Sequence, residues 1–222
     1  MPDRTGFLGA TGETLAAVID RPPGRPKAWA LFAHCFTCSK DLHAARRISQ
    51  SLAARGYGVL RFDFTGLGES EGDFADTHFS SNVADLVAAV GHLRENHEAP
   101  RLLIGHSLGG AAVLAAAADV PEAACVVTIG APFDPAHVRK LIDAAAPDLS
   151  ETGEAEVVLA GRRFRIKQQF VDDLEAQNQP EKIAALKKAL LVLHAPGDRI
   201  VGVDNARQIF VAAKHPKSFV SL

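Results

Sequence analysis

A chain of 222 residues, 47% hydrophobic and 23% charged, has the composition of an ordinary globular protein and the length of one domain, which excludes disordered and collagen-like chains. Its 24 Lys and Arg against 26 Asp and Glu leave a formal net charge of −2, so neither nucleic acid nor anionic lipid is expected as a partner. Three cysteines, Cys35, Cys38 and Cys125, are too few and odd in number for a disulfide framework; with no secretory signal after Met1 and no apolar run near the roughly 20 residues of a membrane span, a reducing, cytoplasmic location away from membranes is expected.

In chain order, Leu15–Ile19 and Trp29–Ala33 read as strands on either side of Arg21-Pro22-Pro23-Gly24-Arg25-Pro26, a connection that cannot be helical. Apolar runs at Gly58–Phe62, Arg101–Ile104, Cys125–Ile129, Ala189–His194 and Ser218–Leu222 read as further strands, mostly buried on both faces. Between them Leu42–Arg55, Ser80–Asn96, Leu108–Asp119 and Val203–Lys214 carry apolar residues at helical spacing, with Asp41 and Ser81 as expected N-caps. Such alternation predicts an α/β fold, a mostly parallel central sheet with helices on both faces. No internal repeat is visible.

The alternation breaks between Pro132 and Lys188, where more than one helix's worth of chain separates two strands. Residues 133–187 are expected to form an insertion, with a hairpin around Gly161 from Glu156 to Ile166 flanked by helices. The segment is either a packing decoration or a cap over a pocket, since ligands in open α/β sheets bind beyond the C-terminal ends of strands.

Gly105-His106-Ser107-Leu108-Gly109 is a G-x-S-x-G pentapeptide between a predicted strand and an alanine-rich predicted helix. At such an elbow the serine hydroxyl projects above the sheet, Gly105 and Gly109 allow close packing, and the helix N-terminus faces a developing oxyanion. The alternative is a structural turn. A serine nucleophile needs a histidine base and a carboxylate to orient it. Asp198, in the loop after Ala189–His194, is the first choice for the acid and Asp134 the second.

On these motifs the whole chain resembles the serine hydrolases of the α/β-hydrolase superfamily. The resemblance implies an α/β-hydrolase fold over residues 1–222 with a small cap, an esterase acting through an acyl-enzyme on Ser107, no metal or cofactor, and small esters as substrates. It also implies oxyanion donors at the backbone N–H groups of Phe36 and Leu108, with Cys35 standing where a glycine is usual. Asp63-Phe-Thr-Gly66-Leu-Gly68-Glu-Ser70-Glu-Gly72 is similar to a loop common in these enzymes and is expected to shape the pocket floor.

The family's base histidine follows the last strand, here expected at Ser218–Leu222. Only His215 follows Asp198, and it precedes that strand, while His34 and His106 belong to the oxyanion loop and the elbow. The base and a last helix are therefore expected beyond Leu222, and residues 1–222 alone should be nearly inactive, since losing the histidine costs about a millionfold in turnover. The Ala33–Asp41 loop further resembles the hydrolase half of bacterial two-domain proteins in which an OsmC-like domain follows.

Three rival readings exist. Cys35-Phe36-Thr37-Cys38 is a C-x-x-C in front of a helix, which could make a thiol redox protein or a regulatory disulfide, whereas zinc lacks a second ligand pair in the sequence. Gly66-Leu-Gly68 departs from the dinucleotide fingerprint in spacing and in the place of its acidic residue. A catalytically silent relative acting as a binding module is the third.

Overall fold

The computed structural model of the chain describes residues 2–35, 37–159 and 161–222. Its strands are β1 (Asp3–Leu8), β2 (Thr14–Asp20), β3 (Ala28–Ala33), β4 (Tyr57–Phe62), β5 (Pro100–His106), β6 (Cys125–Ile129), β7 (Glu154–Leu159), β8 (Arg162–Lys167), β9 (Ala189–His194) and β10 (Lys217–Ser221). Eight of them form one sheet in the order β1-β2-β4-β3-β5-β6-β9-β10, and β7 pairs with β8. From β4 to β10 every pairing is parallel, whereas β1, β2 and β4 pair antiparallel at one edge. The fold is that of an α/β hydrolase, with the mostly parallel sheet the sequence predicts.

The helices are α1 (His43–Ala54), α2 (Phe79–Asn96), α3 (Leu108–Ala116), α4 (Arg139–Ala145), α5 (Leu149–Thr152), α6 (Gln168–Glu175), α7 (Gln179–Ala184) and α8 (Asp204–Ala212). α2 turns Leu86, Ala89, Val90 and Leu93 inward at i, i+3, i+4 and i+7, and all four are fully buried. Each such leucine or valine contributes about 1.5–3 kcal/mol relative to an exposed one. α3, Leu-Gly-Gly-Ala-Ala-Val-Leu-Ala-Ala, is buried on every side, so it has no polar face, and its small residues let it lie close under the strand ends. α1 lies against the opposite face over Ala30, Phe32, Val59, Ile104 and Val127; farther along that face Leu102, Cys125, Ile129, Leu191 and Leu193 are only partly buried.

Two expected caps are corrected. Asp41 does not cap α1, whose N-cap is Leu42 with no side-chain bond; Asp41 is drawn instead to Lys40 and Arg61, each 3.4 Å away. Ser81 is the third residue of α2, and the cap is His78: its Nδ1 accepts from the Ser81 N–H while Ser81 Oγ accepts from the His78 N–H. β1 is absent from the sequence reading because only Phe7 of its six residues is buried.

The segment from Pro132 to Lys188 contains α4, α5, the β7–β8 hairpin, α6 and α7. Phe164 of β8 packs edge-to-face on Phe74, and Phe170 of α6 packs on it at a tilt. Beside them Arg165 pairs with Asp73 at 2.5 Å and Lys167 pairs with Asp76. The hairpin is thereby fixed to the turn before α2.

Candidate active site

The elbow between β5 and α3 forces an unusual backbone. Ser107 has φ +54° and ψ −126°, a conformation that strains any residue with a Cβ. It is held there on both sides. Its N–H donates to the Ile129 carbonyl at 2.9 Å, and its carbonyl accepts from Gly110 at 2.8 Å. Gly105 and Gly109 are required by contact: a Cβ on Gly105 would sit 2.2 Å from the Gly109 oxygen, and one on Gly109 would sit 2.3 Å from the His34 oxygen. The first N–H groups of α3, beginning with Leu108, have no partner inside the helix and carry its positive dipole end. Among the described residues the Ser107 hydroxyl makes no hydrogen bond.

Ser107, Leu108, His106 and Asp198 line one cavity of about 570 Å³ with Cys35, Thr37 and Gly130. Its apolar wall is Val138, Leu141, Ala144, Ala145 and Val158, from the segment after β6, with Ile200 and Val201. None of these wall residues was picked out from the sequence; the only signal was the apolar spacing within the insertion.

Asp198 sits in the loop after β9. Its Oδ1 accepts the N–H groups of Ile200 and Val201, both at 2.9 Å. Its Oδ2 stands 3.7 Å from His194 Nε2 and accepts no hydrogen bond among the described residues, so one oxygen is committed to the loop and one faces the site. Asp134, the second choice, accepts from Ala136 and caps the turn Pro135–Val138; of that turn Val138 reaches the cavity wall, and Asp134 itself is not among the lining residues.

The histidines divide clearly. His194 is buried, its Nε2 bonded to the Val201 carbonyl at 2.6 Å. His34 is buried, its Nδ1 on the Cys35 carbonyl at 2.7 Å and its Nε2 3.5 Å from Asp63. His215 is exposed and is not among the residues lining the cavity. His106 lines the cavity, its Nδ1 buried with no hydrogen-bond partner among the described residues. Burial pushes the His106 imidazole below its ordinary pKa, with Asp198 acting against that shift and His34 adding to it.

The loop before α1 is anchored by charges that the sequence reading missed. Asp63 accepts from the Lys40 N–H at 2.5 Å, from Lys40 Nζ at 2.9 Å and from the Glu69 N–H at 3.0 Å. Burial alone would raise its pKa, but bonds from His34, Glu69 and Lys40 outweigh it and hold the carboxyl at about 2. Arg61, also buried, donates to Asp20 at 2.8 Å and to the Lys40 carbonyl. The Gly66–Gly72 loop is tied in through Ser70 Oγ, which donates to the Asp63 carbonyl at 2.6 Å and accepts from Ala16.

Of the remaining expected residues, Phe36 lies outside the described residues. Cys35 and Cys38 are joined in a disulfide with their Cα atoms 5.2 Å apart, and Cys125 is free. Zinc was set aside for want of further ligands nearby in sequence, yet the fold brings His106 to this pair: one ligand atom from each of Cys35, Cys38 and His106 lies within 4.8 Å of the others. Arg162 of the hairpin donates to the Thr37 carbonyl at 3.1 Å, so the insertion also touches this loop. Among the described residues no helix is long and apolar enough to cross a membrane.

Residues 30–213 match the family described as the alpha/beta hydrolase family. The chain is 52% identical to the crystal structure of the esterase domain from a Rhodothermus marinus protein, with a TM-score of 0.81 over all of this chain and 87% of that one. It is 26% identical to the monoacylglycerol lipase of Mycolicibacterium smegmatis over 90% of this chain and 81% of the relative. Est1E from Butyrivibrio proteoclasticus, solved with ferulic acid, shares the fold with a TM-score of 0.83 at 18% identity, over 97% of this chain and 88% of that one.

Proposed function

The chain belongs to the alpha/beta hydrolase family, and on that premise we propose that it cleaves small carboxylic esters through an acyl-enzyme on Ser107. The observation that carries this reading is Ser107 itself, held at φ +54° at the mouth of α3 with a hydroxyl that makes no hydrogen bond among the described residues, in a cavity it shares with Asp198. The esterase domain at 52% identity and the monoacylglycerol lipase support the substrate class.

In this mechanism Ser107 Oγ attacks the ester carbonyl and loses its proton to a histidine, which passes it to the leaving alcohol; water then hydrolyses the acyl-enzyme by the reverse proton route. The backbone N–H groups of Leu108 and Phe36 stabilise the oxyanion, each such donor being worth about 100- to 1000-fold in turnover. Asp198 Oδ2 orients the histidine while Oδ1 stays bound to its own loop. The segment from α4 to α7 acts as the cap, its apolar wall receiving the acyl or alcohol group. A cytoplasmic location fits the same reading.

The test is fluorophosphonate labelling of the protein from its natural source, with intact mass and ester turnover read together. One adduct on Ser107 and loss of turnover in Ser107→Ala are expected. An unlabelled protein with a mass near 23.5 kDa would overturn the esterase reading in favour of a binding module.

A further inference from the structure

We propose that Cys35 and Cys38, once reduced, form with His106 a binding site for a zinc-class divalent cation at the mouth of the Ser107 cavity. Three observations meet there. C-x-x-C is the ligand spacing at which one short loop supplies two thiolates to a metal. His106, about seventy residues later in the chain, brings a ring nitrogen within 4.8 Å of both sulfurs. And among the described residues the Nδ1 of His106 is a buried polar atom with no hydrogen-bond partner, a state that most buried nitrogens do not tolerate.

The donor set is soft to borderline, two sulfurs and an imidazole, which selects zinc and its neighbours over Mg²⁺ or Ca²⁺. Zinc bonds of about 2.3 Å to sulfur and 2.0 Å to nitrogen place tetrahedral ligands about 3.5–3.8 Å apart. The imidazole needs only a small approach, and the sulfurs separate when their bond is reduced. Cys35 and His106 line the cavity with Ser107 and Asp198, so the fourth coordination position opens to solvent beside the nucleophile.

Disulfide and metal site are alternative states of one loop. An external dithiol donates two electrons and two protons to the Cys35–Cys38 bond and is itself oxidised to a disulfide; the cation then displaces the two thiol protons as it binds. Because Cys35 and His106 line the same cavity as Ser107, a cation held there takes up space that the substrate needs. It therefore silences the site that the esterase reading assigns, and only this inhibitory arm rests on that reading.

The experiment uses the natural protein reduced with dithiothreitol, desalted anaerobically and titrated with Co²⁺ and Zn²⁺. Expected are one equivalent bound, thiolate-to-cobalt charge-transfer absorption that Zn²⁺ abolishes, and no binding by the disulfide form or of Mg²⁺. Cys38→Ser should weaken binding by more than the about 100-fold that loss of an outer partner can cost. Ester turnover of the reduced protein should fall as Zn²⁺ binds and return with a chelator, whereas Cys38→Ser should keep its turnover in zinc. Absence of the cobalt band, or equal Zn²⁺ affinity in Cys38→Ser, would overturn the site. A cobalt band in a protein that cleaves no ester even when metal-free would uphold the site and sink the esterase reading instead.

Discussion

Gly109→Ala is a direct probe of how tightly the elbow is built. The added Cβ would lie 2.3 Å from the His34 oxygen and 2.6 Å from the Ala33 oxygen, where ordinary contact begins at 3.4 Å. Both obstacles are backbone, so no side chain can swing aside, and α3 must part from the end of β3 by about 1 Å. Such overpacking costs about 1–3 kcal/mol, against which alanine's helix preference returns at most about 1 kcal/mol. The same change at Gly91, inside α2, meets nothing within 4 Å and should stabilise by about 0.5–1 kcal/mol. Urea unfolding followed by circular dichroism, with m compared across variants, reads both changes. The displacement should also slow fluorophosphonate labelling of Ser107 by about 100-fold, the order of loss a 1 Å misplacement brings. Gly109→Ala matching Gly91→Ala in stability and labelling at the parent rate would refute the account of the elbow.

Three further outcomes are expected. Asp63 titrates at about 2 in the fold against 3.8 ordinarily; a depressed folded pKa stabilises fully above the unfolded value and is lost as pH falls through the folded one, about 2 kcal/mol in all. Urea midpoints should therefore drop more steeply between about pH 4 and pH 2 in the parent than in Asp63→Asn, and parallel curves would count against the assignment. Asp20→Ala removes the 2.8 Å partner of the buried Arg61 guanidinium and leaves it the more exposed Asp41 at 3.4 Å, so it should cost up to about 3–5 kcal/mol, while adding Arg61→Met should recover part of it; a loss under about 1 kcal/mol by denaturation would show the pair to be dispensable. Ala144→Leu narrows the apolar wall, so KM should rise more for a hexanoyl than for an acetyl ester, and equal effects would mean that Ala144 does not face the acyl chain.

The parallel part of the sheet was legible because β3, β5, β6 and β9 are apolar on both faces, and the G-x-S-x-G turn stood out because two glycines flank a serine at a strand end. The antiparallel edge was not: β1 buries one side chain, so neither alternation nor an apolar run marks it. His78 escaped notice as a cap because its ring nitrogen does what Ser, Asp or Asn usually do, with Ser81 answering from inside the helix. Buried charges were beyond reach for another reason. Asp20, Lys40, Arg61 and Asp63 look like surface residues one at a time, and only the fold shows that they neutralise one another. The meeting of His106 with Cys35 and Cys38 likewise depends on β3 and β5 lying side by side, which no local spacing encodes.

The strained backbone at Ser107 also bears on how this chain can change over generations. A residue with a side chain at φ +54° costs the fold about 1–3 kcal/mol that glycine would not, so Ser107→Gly should make a sturdier protein. Drift in a lineage relieved of its chemistry would favour that replacement, because folding stability and the hydroxyl pull in opposite directions at this position. A serine persisting here is therefore a mark of selection on what its oxygen does, since the fold by itself prefers the residue without one.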